Sequence, residues 1–160
     1  VTDAVDRAGA DPLDGPTRVL FVCTHNSARS IMAEALLRAK GGDAFEVASA
    51  GTEPGAVRPL TLRVLAEAGL RTEGLRSKSV SELLGRRFDY VITVCDSARQ
   101  HCPVFPGEGE RLHWGYDDPS AVEGDEEARM RAFRRVFTAI SQRVDLFLTV
   151  TRAKEMRSGG

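Results

Sequence analysis

Between Val19 and Ala39 the chain changes its hydrophobic period once, and that change constrains the fold more than any other feature. Val19-Leu20-Phe21-Val22 is a continuous apolar run rich in β-branched and aromatic residues, the pattern of a strand covered on both faces. Ser30-Ile-Met-Ala-Glu-Ala-Leu-Leu-Arg-Ala39 is built from good helix formers and is followed by Gly41-Gly42, a helix stop. Cys23 ends the apolar run, and Thr24, His25, Asn26, Ser27 and Ala28 lead from it to Arg29. A strand, a tight polar loop and a helix start in that order aim free N–H groups and the positive end of a helix dipole at one spot, where an oxyanion is held and a thiolate stabilised.

A thiol is mostly protonated at neutral pH unless its pKa is lowered from about 8.5, and helix N-termini and neighbouring cations do this. Cys23 has both within reach. Arg29 offers a planar fork of donors to two oxygens of a tetrahedral anion, where a lysine would offer only a point charge. Asn26 and Ser27 can fix the loop or the sulfur by hydrogen bonds. The bland alternative is a structural cysteine near a surface arginine. The C-x5-R spacing alone does not decide against it, whereas the strand before and the helix after do.

At 160 residues, with 22 basic and 23 acidic side chains, the chain is expected to form one domain with a single core. The balanced charge argues against a nucleic-acid partner. No apolar stretch is long enough for a membrane span or a signal peptide, so a soluble cytoplasmic protein is expected. Three cysteines are an odd number. In a reducing cytosol they suit catalysis, transient redox chemistry or metal better than permanent cross-links.

Residues 1–17 carry Asp, Gly and Pro without sustained periodicity and read as a mobile extension before a single domain over 18–150, with 151–160 a frayed tail. Phe45 to Ser49 suggests a second strand closing in Ala50-Gly51. Pro59 opens a helix with Leu62, Leu65 and Ala66 on one face and Gly69 as its stop. Ser79-Val-Ser-Glu82 has a capping-box pattern opening a short helix to Gly85. Phe88 to Cys95 is the third strand and Leu112 to Trp114 a weaker fourth. In the last helix Asp125, Glu126 and Glu127 supply an acidic first turn. Met130, Phe133, Phe137, Ile140, Val144 and Phe147 form a core stripe, opposite a solvated face with Arg129, Arg131 and Arg135. The alternation predicts an α/β fold: three layers, a four-stranded parallel sheet with helices on both faces and right-handed crossovers. Such sheets bind ligands beyond their strands' C-terminal ends, where Cys23 and Cys95 both fall.

Six residues separate Cys95 from Cys102. A loop or loose turn would let their sulfurs meet, but a regular helix would hold the Cα atoms beyond the roughly 7 Å a disulfide tolerates. Cys95, His101, Cys102 and His113 could be zinc ligands, yet their spacing lacks the usual close cysteine pairs, so no metal is expected. Asp117-Asp118-Pro119 is a turn signal, and a carboxylic acid at this sheet edge could serve as general acid to a leaving oxygen.

Together Cys23-Thr-His-Asn-Ser-Ala-Arg29-Ser30, Ser49-Ala-Gly51, Cys95-x6-Cys102-Pro103 and Asp118-Pro119 resemble the thioredoxin-coupled arsenate reductases, which share the low-molecular-weight protein tyrosine phosphatase fold. The loop motif belongs to both groups; the pair Cys95 and Cys102 points to the reductases. Phosphatases of this fold carry tyrosines after the Asp-Pro pair, and here Ser120-Ala121 follows. The resemblance implies that residues Thr24, His25, Asn26, Ser27, Ala28, Arg29 and Ser30 bind arsenate, with phosphate as a competing oxyanion. It further implies that Cys23 attacks arsenic and that Asp118, directly before the proline, rather than Asp117, protonates the departing oxygen. Cys95 then takes Cys23 into a disulfide and Cys102 transfers it to a Cys95–Cys102 pair reduced by thioredoxin. Some relatives hold potassium near the loop. Asn26, Glu34 and Ser49 match that site, but Lys78 stands where an Asp is expected, and its ammonium could replace the ion, so no cofactor is expected. A monomer is expected. The alternatives are a phosphatase working through a Cys23 phosphoenzyme and a non-catalytic arsenic- or redox-responsive binding protein.

Overall fold

Val19, Leu20, Phe21 and Val22 are each 0 % exposed. Consecutive strand residues point to opposite sides, so both faces of their strand are covered. That strand, β1 (Thr17–Cys23), is central in a four-stranded sheet of order β2-β1-β3-β4, in a computed structural model that describes residues 15–159. All three pairings are parallel. The order of elements is β1, α1 (Arg29–Gly41), β2 (Phe45–Gly51), α2 (Pro59–Glu67), β3 (Tyr90–Thr93), α3 (Asp96–His101), β4 (Glu110–His113) and α4 (Glu126–Gly159). Short 3₁₀ turns occupy Gly42–Ala44, Val80–Leu83 and Pro119–Ala121. The expected three-layer α/β architecture is therefore present. The extension expected over 1–17 lies, as far as residue 14, outside the described residues, and Thr17 already belongs to β1.

The helix boundaries follow local chemistry. Gly42 has φ 59° and donates its N–H to the Arg38 carbonyl, ending α1. Pro59 fills the first helical position of α2, and Gly69 at φ 76° ends its last turn while Leu70 donates back to the Leu65 carbonyl. Asp125 caps α4 through a 2.9 Å bond from the Ala128 N–H. The α4 stripe packs on the sheet: the Phe147 ring lies 5.7 Å from Trp114, 5.0 Å from Tyr90 and 6.0 Å from Phe45, and Trp114 lies 5.5 Å from Phe21. Among the described residues no helix is long and apolar enough to cross a membrane.

Four expectations change. The buried face of α2 is Leu60, Thr61, Val64 and Leu65: Leu65 is buried as expected, but Leu62 and Ala66 are exposed, because α2 packs against α1 and α4 with a face rotated from the one proposed. Ser79 caps only a 3₁₀ turn: its hydroxyl accepts from the Ser81 N–H, and Glu82 pairs with Arg76 instead of closing a capping box. The third strand ends at Thr93 and the fourth begins at Glu110. The tail expected to fray from residue 151 continues α4: Thr151 is buried with its hydroxyl on the Phe147 carbonyl, and Lys154 reaches Glu110 at 3.0 Å.

Candidate active site

From β1 the chain steps to β2 on one edge of it and then returns to β3 on the other, so the strand order reverses between the C-terminal ends of β1 and β3, a switch point of the kind where open α/β sheets bind ligands. Residues 24–28 form the loop there. Its carbonyls face outward: those of Cys23, Thr24, His25 and Ser27 accept from the N–H groups of Thr52, Glu53, Gly55 and Arg58 at 2.8–3.1 Å. With the carbonyls held outward, loop N–H groups are left for the concave side, and one of them, from Asn26, meets the Cys23 sulfur at 3.3 Å. Asn26 makes the turn at φ 51°, a left-handed conformation that asparagine tolerates. No side chain caps α1, so its first N–H groups also remain for an anion. Gly51 lets β2 approach this closely: a Cβ there would lie 2.6 Å from the Thr24 carbonyl oxygen and 3.1 Å from the Asn26 nitrogen.

A buried network of hydrogen bonds runs from the sulfur into α1 and β2. The Asn26 amide donates one hydrogen to Ser30 Oγ at 2.7 Å and the other to Ser49 Oγ at 3.0 Å, and its oxygen accepts from the Lys78 N–H at 3.0 Å. Ser49 passes its own hydrogen to Glu34 Oε1 at 2.5 Å, and Arg38 holds Glu34 Oε2 at 2.6 Å. Ser30 Oγ, which accepts from Asn26, lies 3.0 Å from the Cys23 sulfur, and its hydroxyl is the donor of that pair when the sulfur is a thiolate. Two donors on one sulfur suit a thiolate. Asn26, Ser30 and Ser49 are each 0 % exposed, so the network's low-dielectric setting makes each bond costly to break.

Arg29 opens α1 and reaches across the mouth, donating to the Tyr116 carbonyl at 3.0 Å and lying 3.8 Å from Asp118 Oδ2. Asp118 caps the following 3₁₀ turn, accepting from the Ser120 N–H at 2.9 Å and hydroxyl at 2.7 Å. Burial, the largest influence, raises the Asp118 pKa. The two Ser120 bonds and the charges of Arg29 and Arg58 outweigh it, leaving the carboxyl below the usual range. Asp117 is exposed, and it is Asp118 that faces the arginine.

Cys95 is buried at the start of α3, with its sulfur 3.2 Å from Thr24 Oγ1. Thr24 follows Cys23 directly, so the loop carries both the first thiol and the contact to the second. Cys102 is at the other end of α3, half-buried, and all three thiols are free. His101 turns to the Ser97 carbonyl and His113 to Thr93 and Asp96. Among the described residues no group of three or more His, Cys, Asp or Glu could hold a metal ion.

Residues 18–157 match the family of low molecular weight phosphotyrosine protein phosphatases. The chain belongs to that family. An arsenate reductase of Halalkalibacterium halodurans is 38 % identical over 129 residues, covering 81 % of this chain and 93 % of that protein. One from Bacillus subtilis is 35 % identical over 129 residues, with the same two coverages. The solved structure of a thioredoxin-dependent arsenate reductase from Corynebacterium glutamicum superposes with a TM-score of 0.68 at 28 % identity, covering 95 % of this chain and 70 % of that one.

Within this phosphatase-family fold, the residues that match a potassium site do not fit the ion. The Asn26 oxygen is taken by Lys78, Ser49 is spent on Glu34, and Glu34 is neutralised by Arg38. The Lys78 ammonium adds a second cation: burial pushes its pKa down while the Glu34 charge opposes the change. Sequence reasoning had no signal for Tyr116 or Arg58 at the mouth, because each arrives through backbone position. Nor did it give the Ser30 hydroxyl its place beside the Cys23 sulfur, while the Ser30 N–H stands among the uncapped first groups of α1.

Proposed function

We propose that the protein is an arsenate reductase in which three thiols act in sequence. The observation that carries this reading is a second, buried sulfur at the neighbouring strand end, Cys95, in contact with the residue next to Cys23. A hydrolytic phosphatase needs one thiol and a water; a reductase needs a second thiol within reach of the first.

The chemistry follows from the site. Arsenate occupies the loop N–H groups and Arg29. The Cys23 sulfur attacks arsenic and an oxygen leaves as water, taking a proton through Asp118. Asp118 is ionised in the free enzyme, and a bound arsenate anion raises its proton affinity by adding negative charge beside it and drawing Arg29 away. Cys95 as thiolate then attacks the Cys23 sulfur; the sulfur–arsenic bond breaks, its electron pair stays on arsenic, and arsenite departs, leaving a Cys23–Cys95 disulfide. Cys102 attacks Cys95 and expels Cys23 as a thiolate, each exchange being thiolate displacement at sulfur. Along α3, at about 1.5 Å per residue, seven steps keep Cys95 and Cys102 about 10 Å apart, so the helix opens before they join. Thioredoxin, acting in a reducing cytoplasm, regenerates the pair.

Phosphate-ester hydrolysis is a side activity of the same loop. A cleft of about 410 Å³ beside it, lined by His25, Ser27, Val57, Arg58 and neighbours, has room for an ester's organic group. The test is arsenate-dependent NADPH oxidation with thioredoxin and thioredoxin reductase, run on wild type and Cys95→Ser. Wild type turns over; the variant loses arsenate reduction but keeps hydrolysis of an aryl phosphate. Undiminished multiple turnover by Cys95→Ser would refute the relay.

A further inference from the structure

Cys102 lies between two elements that behave differently in the proposed relay: α3, which has to open, and β4, which is part of the sheet. The link to β4 is Arg111. Its guanidinium donates to the Cys102 carbonyl at 3.3 Å and to the Pro103 carbonyl at 2.7 Å. Its remaining donors grip Glu108 at both carboxylate oxygens, 2.8 and 2.7 Å. Glu108 in turn accepts from the N–H of Phe105, whose side chain is buried in the core. The fork is therefore fixed on one side by a carboxylate tied to the core and on the other holds the backbone that carries the third thiol. On the α3 side Cys102 is held by one backbone bond, its N–H to the Ala98 carbonyl, which is lost when the helix unwinds.

From this arrangement, and resting on the three-thiol reading above, we propose that Arg111 is the positioning residue for Cys102: it anchors the end of the segment to β4 while α3 opens and keeps a guanidinium beside the sulfur that attacks Cys95. Anchoring confines the moving chain to the residues between the two cysteines. Less chain is freed on opening than if the segment were loose as far as Glu110, so less has to be ordered again afterwards. The charge has a separate effect. Burial pushes the Cys102 thiol up, the Arg111 cation works against that, and the Glu108 carboxylate works with it. The attack breaks the Cys23–Cys95 bond and forms the Cys95–Cys102 bond; Cys23 leaves as a thiolate, and no electrons enter or leave the protein.

The test uses the full reduced chain with Arg111→Gln and Arg111→Lys. Iodoacetamide labelling of Cys102, read by peptide mass spectrometry across neutral to alkaline pH, reports its thiolate fraction. A single turnover with stoichiometric arsenate and no thioredoxin reports conversion of the Cys23–Cys95 disulfide to Cys95–Cys102. Arg111→Gln is expected to label Cys102 about tenfold more slowly at neutral pH, equivalent to about one pH unit, and to accumulate the Cys23–Cys95 form. Arg111→Lys, with the charge but not the fork, recovers labelling while conversion stays slow. Unchanged labelling and conversion in Arg111→Gln would overturn the proposal. If wild type forms no Cys23–Cys95 disulfide with arsenate, the relay itself fails, and the labelling profile still decides whether Arg111 acts on Cys102.

Discussion

Replacing Ser30 by Ala removes one of two hydrogen bonds to the Cys23 sulfur, the 3.0 Å contact, and leaves the 3.3 Å bond from the Asn26 N–H. A hydrogen bond to a charged group contributes about 1.5–3 kcal/mol, and one pH unit corresponds to about 1.4 kcal/mol. Loss of the Ser30 bond should therefore cut Cys23 alkylation and arsenate turnover at neutral pH by about 10–100-fold. The variant also strips Asn26 Nδ2 of its Ser30 acceptor in a fully buried setting, costing about 1–3 kcal/mol of global stability. Urea unfolding measures this second effect separately. Ser30→Thr keeps the hydroxyl and should hold the labelling rate near wild type, even if its extra methyl group lowers stability. If Ser30→Ala labels Cys23 at the wild-type rate, the Ser30 hydroxyl does not support the thiolate.

Gly51→Ala pushes a Cβ against the Thr24 carbonyl and the Asn26 backbone; it should cost about 1–3 kcal/mol in urea unfolding and weaken arsenate binding because the loop has to shift. Asp118→Asn should slow single-turnover arsenate consumption by about 10²–10⁴-fold. The lowered Asp118 pKa also contributes stability that is complete above the ordinary aspartate value and lost as pH falls through the lowered one. Asp118→Asn should thus be less stable than wild type at neutral pH, with the gap narrowing below about pH 4, which denaturant midpoints at several pH values would resolve. Phe147→Ala removes the ring that contacts Phe45, Tyr90 and Trp114 and should lose about 3–5 kcal/mol; a loss under about 1 kcal/mol would mean that α4 does not depend on this contact.

What could be read from the sequence was local. The run from Val19 to Cys23, the loop to Arg29 and the helix formers after it fix their own structure within one unit, and the α4 stripe declares its face by repetition over many turns. α2 gave no such signal: with apolar residues at 60, 62, 64, 65 and 66, nine residues offer two plausible faces, and only packing on α1 and α4 chooses between them. The charged composition after residue 150 suggested fraying, but Lys154 and the buried Thr151 tie that segment to the sheet and to α4 itself. The site divides the same way. Cys23 and Arg29 are close in sequence, and the strand before and the helix after place both on one loop. That β1 and β3 are neighbours, which brings Cys95 to Thr24, is decided by strand order, and the path from Cys23 through Ser30, Asn26 and Ser49 to Glu34 joins two elements that no local pattern links.

The central claim is that a second thiol, not water, resolves the adduct on Cys23. Mass spectrometry of Cys102→Ser after exposure to excess arsenate tests it directly. The relay predicts one arsenite released per protein and a stalled Cys23–Cys95 disulfide that thioredoxin does not turn over. Repeated arsenite release with thioredoxin, or a reacted protein in which Cys23 and Cys95 both remain free thiols, would contradict it.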